Sequence, residues 1–247
     1  MAFDLSPAVT AALACALLGA AFVRGYSGFG FSAIFIAFAA LLTNPLPLIP
    51  VVFACEMLMT VFQARGIRAD IDWRRVGALL AGSAVVLPIS VGIILSVGEE
   101  TVRLLVSVIV LIMSLVLLSG WTLQRTIRAP GHFGVGMLAG VCNGAGIGGL
   151  PAAAFMAAQP MQAVVFRATM IAFLTGLDLF TMPLLWAGGL VSGDTVVGVG
   201  LALPILGLGV WLGGRQFLNA PPAAFRKFAV LLLLILSGMG LIRAVLA

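Results

Sequence analysis

Charge is what this chain lacks most. Asp, Glu, Lys and Arg make up 9% of its 247 residues, where soluble domains carry about 25%. With 62% apolar residues and a mean hydropathy of +1.24, the deficit excludes an ordinary soluble domain and implies an integral membrane protein. Histidine occurs once, as His132. Cysteine occurs as Cys15, Cys55 and Cys142, far apart and without a C-x-x-C pair. A zinc site and a disulfide framework are both unsupported, and no metal or other cofactor is expected. No nucleophile–base pair, Walker loop or dinucleotide fingerprint occurs, so an enzyme is not expected. The Ala12-Leu13-Ala14-Cys15 segment faintly resembles a lipobox, but Asp4 stands where a basic n-region belongs. Neither a cleaved signal nor a lipid anchor is expected.

What the chain has is positive charge between long apolar runs. The net charge of +5 and pI near 10.1 do not indicate nucleic acid, because the basic residues lie in short segments between apolar stretches. A spanning helix needs about 20 apolar residues. Candidate elements are 5–23, a short piece 29–42, then 46–64, 76–98, 104–124, pieces within 133–166, a long helix 161–187, then 195–214 and 225–242. The short pieces cover about 20 Å or less, too little for a ~30 Å hydrocarbon core. The expected fold is an all-α polytopic membrane protein of eight to ten apolar helical elements. Its helices are expected to be broken or re-entrant at two glycine signatures.

The stronger signature is Asn143-Gly144-Ala145-Gly146-Ile147-Gly148-Gly149-Leu150-Pro151; the weaker is Arg24-Gly25-Tyr26-Ser27-Gly28-Phe29-Gly30. Breaks of this kind in membrane helices can turn backbone N–H groups toward a small anion. The glycine run at 144–149 follows no β-strand, which excludes a nucleotide loop. The competing reading of the glycines is close helix packing of the small-xxx-small kind. The halves 1–124 and 129–247 repeat: Pro47-Leu48-Ile49-Pro50-Val51-Val52-Phe53 aligns with Pro160-Met161-Gln162-Ala163-Val164-Val165-Phe166 at an offset of 113. Five elements per half make the second half enter the membrane inverted, a plan shared by many transporters.

Charge placement orients this plan. With the loop 65–75 cytoplasmic, Arg24, Arg65, Arg68, Arg74, Arg75, Arg125, Arg128, Arg215, Arg226 and Lys227 fall on or toward the cytoplasmic side. Only Arg103 and Arg243 fall outside, with Asp4, Glu99, Glu100 and Asp194. Both termini then lie outside. Trp73 suits the headgroup level.

Glu56, Arg167 and Asp178 stand inside apolar helices. Each costs about 2.5–3.5 kcal/mol at mid-membrane on insertion scales, which makes each a functional candidate. Arg167 and Asp178 share a helical face, as do Glu56, Thr60 and Gln63. The alternative is that these charges bridge one another to hold the halves together. For Arg24 the alternative is an anchor that snorkels to the interface.

The set Arg24-Gly25-Tyr26-Ser27-Gly28-Phe29-Gly30, Glu56, Asp72-Trp73-Arg74-Arg75, Gly146-Ile147-Gly148-Gly149-Leu150-Pro151, Arg167-Ala168-Thr169 and Asp178 covers nearly the whole chain. It resembles the TauE/SafE-type permeases, which include sulfite and organosulfonate exporters and toluene sulfonate uptake permeases. The chain departs from the family pattern where 33–38 lacks a proline and where Leu150 replaces one. The resemblance implies a secondary transporter of small sulfur-containing anions, with alternating access around a midplane site in the bacterial inner membrane. Substrate contacts are expected from Arg24, Ser27, Gly28, Phe29, Gly30, Asn143, Gly144, Gly146, Gly148, Arg167 and Thr169, and proton coupling from Glu56 or Asp178. Expected partners are a small anionic substrate and the lipid bilayer, not nucleic acid, with a homodimer left open. A passive small-anion channel and an intramembrane enzyme are the rival readings.

Overall fold

The computed structural model describes residues 5–219, with Leu234 and Gly238. The expected last span, 225–242, with Arg226, Lys227 and Arg243, lies outside the described residues, as does Asp4. Among the described residues the chain is all-helical: α1 (Pro7–Ser27), α2 (Phe31–Leu42), α3 (Ile49–Ile67), α4 (Trp73–Ser96), α5 (Glu99–Leu118), α6 (Ala129–Asn143), α7 (Gly149–Ala157), α8 (Ala163–Ala187) and α9 (Gly193–Asn219). Six spans of membrane-crossing length and apolarity run through α1, α3, α4, α5, α8 and α9. At 1.5 Å per residue, α2, α6 and α7 rise about 18, 22 and 14 Å, less than one hydrocarbon core each.

Helix ends follow local chemistry. Ser6 caps α1 by accepting the Val9 N–H, and Pro7 occupies the first helical position. α1 continues four residues past the expected end, through Arg24 to Ser27. It stops at Gly28 (φ 83), and Gly30 (φ 90) opens α2. Two left-handed residues within three positions reverse the chain, a conformation that glycine adopts without penalty. The expected polar loop 65–75 is largely helical: α3 reaches Ile67, a 3-10 turn takes Arg68–Asp70, and α4 starts at Trp73. Asp72 sets that start, its Oδ1 accepting the Arg75 N–H at 3.1 Å. α5 ends at Leu118 rather than 124.

Packing gives each element a direction. α1 runs parallel to α9: Leu18 and Ala21 lie against Gly209, Gly25 against Val210 and Phe22 against Gly213. α4 runs parallel to α6 in the same manner: Leu79 meets Gly136, Ser83 meets Gly140 and Ser90 meets Gly144. A Cβ on Gly25 would come within 2.6 Å of the Val210 carbonyl oxygen, and one on Gly140 within 2.8 Å of that of Ser83. Small residues here let backbones approach. Ser83 and Ser90 donate across the seam to the carbonyls of Gly136 and Gly140 at 2.7 and 2.9 Å. α7 comes back to the end where α6 began. The Leu123 N–H donates to the Ala158 carbonyl at 2.6 Å, the Ile127 N–H to Gln159 at 3.2 Å, and His132 meets Phe155 edge to face. α3 and α8 occupy the centre and pack on each other, α3 also touching α9 and α8 touching α4.

Candidate functional site

A fully buried polar cluster lies where α1, α3 and α8 meet. Arg24 projects from the last turns of α1 with no exposure at all, so it is not an interfacial anchor. Its Nη1 donates to Glu56 Oε1 at 3.1 Å, and its Nη2 to Thr60 Oγ1 at 3.1 Å and to the Glu56 carbonyl at 3.4 Å. Glu56 and Asp178 are each 1% exposed. Both Asp178 oxygens lack a hydrogen-bond donor. Asp178 stands close enough to Glu56 and Arg24 to interact electrostatically with both. Two carboxylates cannot bond each other; the contact becomes a bond only when a proton sits between them. Thr60 and Thr175 join α3 to α8 beside this cluster, hydroxyl to hydroxyl at 2.7 Å.

Arg167 lies apart from the carboxylates. Its Nε and Nη2 donate to one acceptor, the Gly25 carbonyl, at 3.1 and 2.7 Å, and its guanidinium carbon sits 4.9 Å from the centre of the Phe217 ring. The expected structural bridges from Arg167 to Asp178 or Glu56 are not formed; Arg24 takes that place. Arg167 and Asp178 nonetheless share the face of α8 that meets α1 and α3. Arg167 is half-buried and lines a cleft of about 540 Å³ with Gln63, Ile67, Val210, Trp211 and Arg215. Gln63 is 8% exposed, and both its amide atoms are without a partner. The Arg215 guanidinium stacks 4.2 Å from the centre of the Trp211 ring. The cleft therefore offers cationic and amide donors on an apolar wall, suited to an anion.

The remaining expected site residues fall into two groups. Gly28 is pressed against the Arg167 backbone, where a Cβ would lie 2.8 Å from its carbonyl oxygen. Ser27 Oγ closes the break itself, 2.8 Å from the Val23 carbonyl and 2.9 Å from that of Phe29, and Phe29 packs edge to face on Phe166. Gly28 and Phe29 thus brace the start of α8 beside Arg167, while Gly30 faces Val23 and Ile34. The second break sits elsewhere. Gly144 abuts Ser90, Gly148 abuts the Asn143 side chain and Gly146 (φ 79) faces Ile36 and Ile49. Asn143 Nδ2 donates to Thr181 Oγ1 at 2.9 Å, and Thr169 Oγ1 accepts the Asp72 N–H at 3.0 Å. None of the glycines at 144–149 lines the Arg167 cleft. Thr175 and Trp211 were missed in the sequence, and Arg215 stood out there only as a cytoplasmic charge. Thr175 had left a signal, one turn from Asp178 on the same helix.

Six apolar helices of membrane-crossing length among the described residues, with ionisable groups buried between them, define a multi-pass membrane protein. The family model described as "Sulfite exporter TauE/SafE" matches residues 12–240, and the chain belongs to that family of membrane transporters. No curated protein and no solved structure matches the chain.

Proposed function

We propose that the protein is a proton-coupled secondary transporter of small sulfur-containing anions such as sulfite or organosulfonates. The observation that carries this reading is Arg167. It is a half-buried guanidinium that has no carboxylate within ion-pair distance among the described residues and stands on the wall of an open cleft. Its Nε–Nη2 edge holds the Gly25 carbonyl, its Nη1–Nη2 edge matches two oxygens of a sulfonate, and Gln63 adds an unsatisfied amide donor. The Glu56–Asp178 pair holds the coupling proton.

Alternating access between two inverted repeats is supported by equivalent packing. α1 on α9 corresponds to α6 on α4, α3 on α9 to α8 on α4, and α3 on α8 lies on the pseudo-axis. The Arg167 cleft opens at the end that carries 65–75. With that end cytoplasmic by its basic residues, the conformation is inward-facing and the termini are external, in the bacterial inner membrane.

Counterflow in proteoliposomes tests the reading, with sulfite, ethanesulfonate, toluenesulfonate, sulfate and acetate as trapped and external anions. Saturable exchange of the sulfur oxyanions, lost in Arg167→Ala, is expected. Exchange of none of the panel, or exchange indifferent to Arg167, refutes it.

A further inference from the structure

A second cleft, of about 450 Å³, lies between α3, α4 and α8, at the same end as the Arg167 cleft but on the other side of α3; Arg68 and Trp73 line it. Anion binding at Arg167 gives this cleft no role. Thr60 and Thr175 line it too, and behind them stand the buried carboxyls. Glu56 is four residues before Thr60 on α3, and Asp178 three residues after Thr175 on α8, rises of about 6 and 4.5 Å. The two hydroxyls thus separate the cleft from the carboxyl pair.

Their hydrogen bonding is over-subscribed. Thr60 Oγ1 lies 3.0 Å from the Glu56 carbonyl, Thr175 Oγ1 lies 2.8 Å from the Ile171 carbonyl, and the hydroxyls lie 2.7 Å from each other. Two hydroxyl protons serve three contacts, so one contact lacks a hydrogen at any moment. A small rotation about either side-chain bond moves the vacancy. Such a pair can take up a proton on one side and release one on the other. Arg24, the cation beside it, donates to Thr60 but cannot give up its own proton.

We propose that Thr60 and Thr175 form the proton gate between the α3–α4–α8 cleft and the Glu56–Asp178 pair, an inference that rests on the coupling role proposed for that pair. An O–H bond of hydronium in the cleft breaks, leaving water. The hydroxyl that takes this proton rotates off its backbone carbonyl toward the carboxyl pair, its O–H bond breaks as it passes on its own proton, and a new O–H bond forms on a carboxylate oxygen. The pair goes from two negative charges to one, which Arg24 balances.

The test is infrared spectroscopy of the full-length protein in lipid, with the buffer switched from H2O to D2O. The carbonyl stretch of a protonated carboxyl, assigned by its loss in Glu56→Gln or Asp178→Asn, reports the proton, and its isotope shift reports access. Thr60→Val and Thr175→Val are each expected to slow the isotope exchange by about tenfold or more, the kinetic equivalent of one hydrogen bond to a charged group. Thr60→Ser, which keeps the hydroxyl, is expected to exchange at the wild-type rate, separating the gate from a packing defect. Unchanged exchange in both valine variants overturns the gate and leaves the coupling pair standing. Slowing by Gln63→Leu but not by the threonine variants moves proton access to the Arg167 cleft and overturns it equally. Absence of any carboxyl band assignable to Glu56 or Asp178 refutes the coupling role itself.

Discussion

Replacing Glu56 by alanine strands the Arg24 guanidinium away from bulk solvent. Arg24 is completely buried, and its Nε has no partner even in the intact protein. Breaking a buried pair from one side costs about 3–5 kcal/mol, because the remaining charge stays desolvated. Here a second carboxyl stands within the field of the same guanidinium. Asp178 can take over, so Glu56→Ala alone costs less than the full amount. Asp178→Asn alone costs little, since no donor is bonded to either of its oxygens. The double variant Glu56→Ala/Asp178→Asn removes both anions and bears the whole penalty. The expected coupling between the two sites is about 0.5–3 kcal/mol. For a chain of this length 1 kcal/mol moves Tm by about 2–4 °C, so the double variant melts roughly 6–20 °C lower than the parent. Thermal unfolding of the four purified proteins in one detergent measures this. Strict additivity, or a double variant no worse than Glu56→Ala, refutes the shared-guanidinium account.

Further outcomes follow from the same contacts. Arg167→Lys keeps the charge but loses the fork that grips the Gly25 carbonyl. Anion affinity in counterflow is expected to fall by about tenfold or more, the worth of one charge-assisted bond, with folded yield unchanged; parental affinity refutes bidentate binding. Gly146 sits at φ 79 against Ile36 and Ile49. Gly146→Val is therefore expected to lose at least about 1–2 kcal/mol of stability from the left-handed backbone alone, seen as reduced folded protein in size-exclusion profiles; a well-folded variant that only loses binding restores the anion-loop reading. In a cysteine-free background, Asp70→Cys is expected to react with a membrane-impermeant maleimide only after permeabilisation, and labelling of intact cells from outside reverses the orientation.

The spans were legible in the sequence because length and apolarity fix them. The breaks were legible because glycine clusters interrupt runs that otherwise continue. What glycine does at each position was not. Gly28, Gly30 and Gly146 have positive φ, whereas Gly144 and Gly148 lie where a neighbouring backbone or side chain leaves no room for a Cβ. Both demands select the same residue, so the sequence cannot separate a turn from a packing seam. Partner choice was equally hidden. Arg24 and Glu56 are 32 positions apart, and Thr60 and Thr175 are 115 apart. Nothing local distinguishes an arginine that snorkels from one that pairs inside. Arg103, the outlier in the charge count within the described residues, forms ion pairs with Glu99 and Glu100 in the first turn of α5.

The two interior arginines differ in what faces them, and under the proposed function that difference sets the charge balance of transport. Arg24 meets two carboxyls, so its cluster carries one net negative charge when both are ionised and none with one proton bound. Among the described residues Arg167 meets a carbonyl and an aromatic ring but no carboxylate, so, counted apart from Arg215 on the cleft wall, it carries one net positive charge until an anion arrives. A buried net charge is expensive, and under the proposed function the protein reduces it by loading one proton and one monoanion together. On this arithmetic the fully loaded and fully empty proteins both carry zero net charge over the two sites, since −1 and +1 cancel in the empty state. Reorientation in either state then moves no charge, and symport of a monoanion with a proton is electroneutral. Uptake of ethanesulfonate into proteoliposomes is expected to follow the pH gradient. It should ignore a potassium diffusion potential imposed with valinomycin. A clear response to that potential at constant pH would mean that the two sites do not load in step.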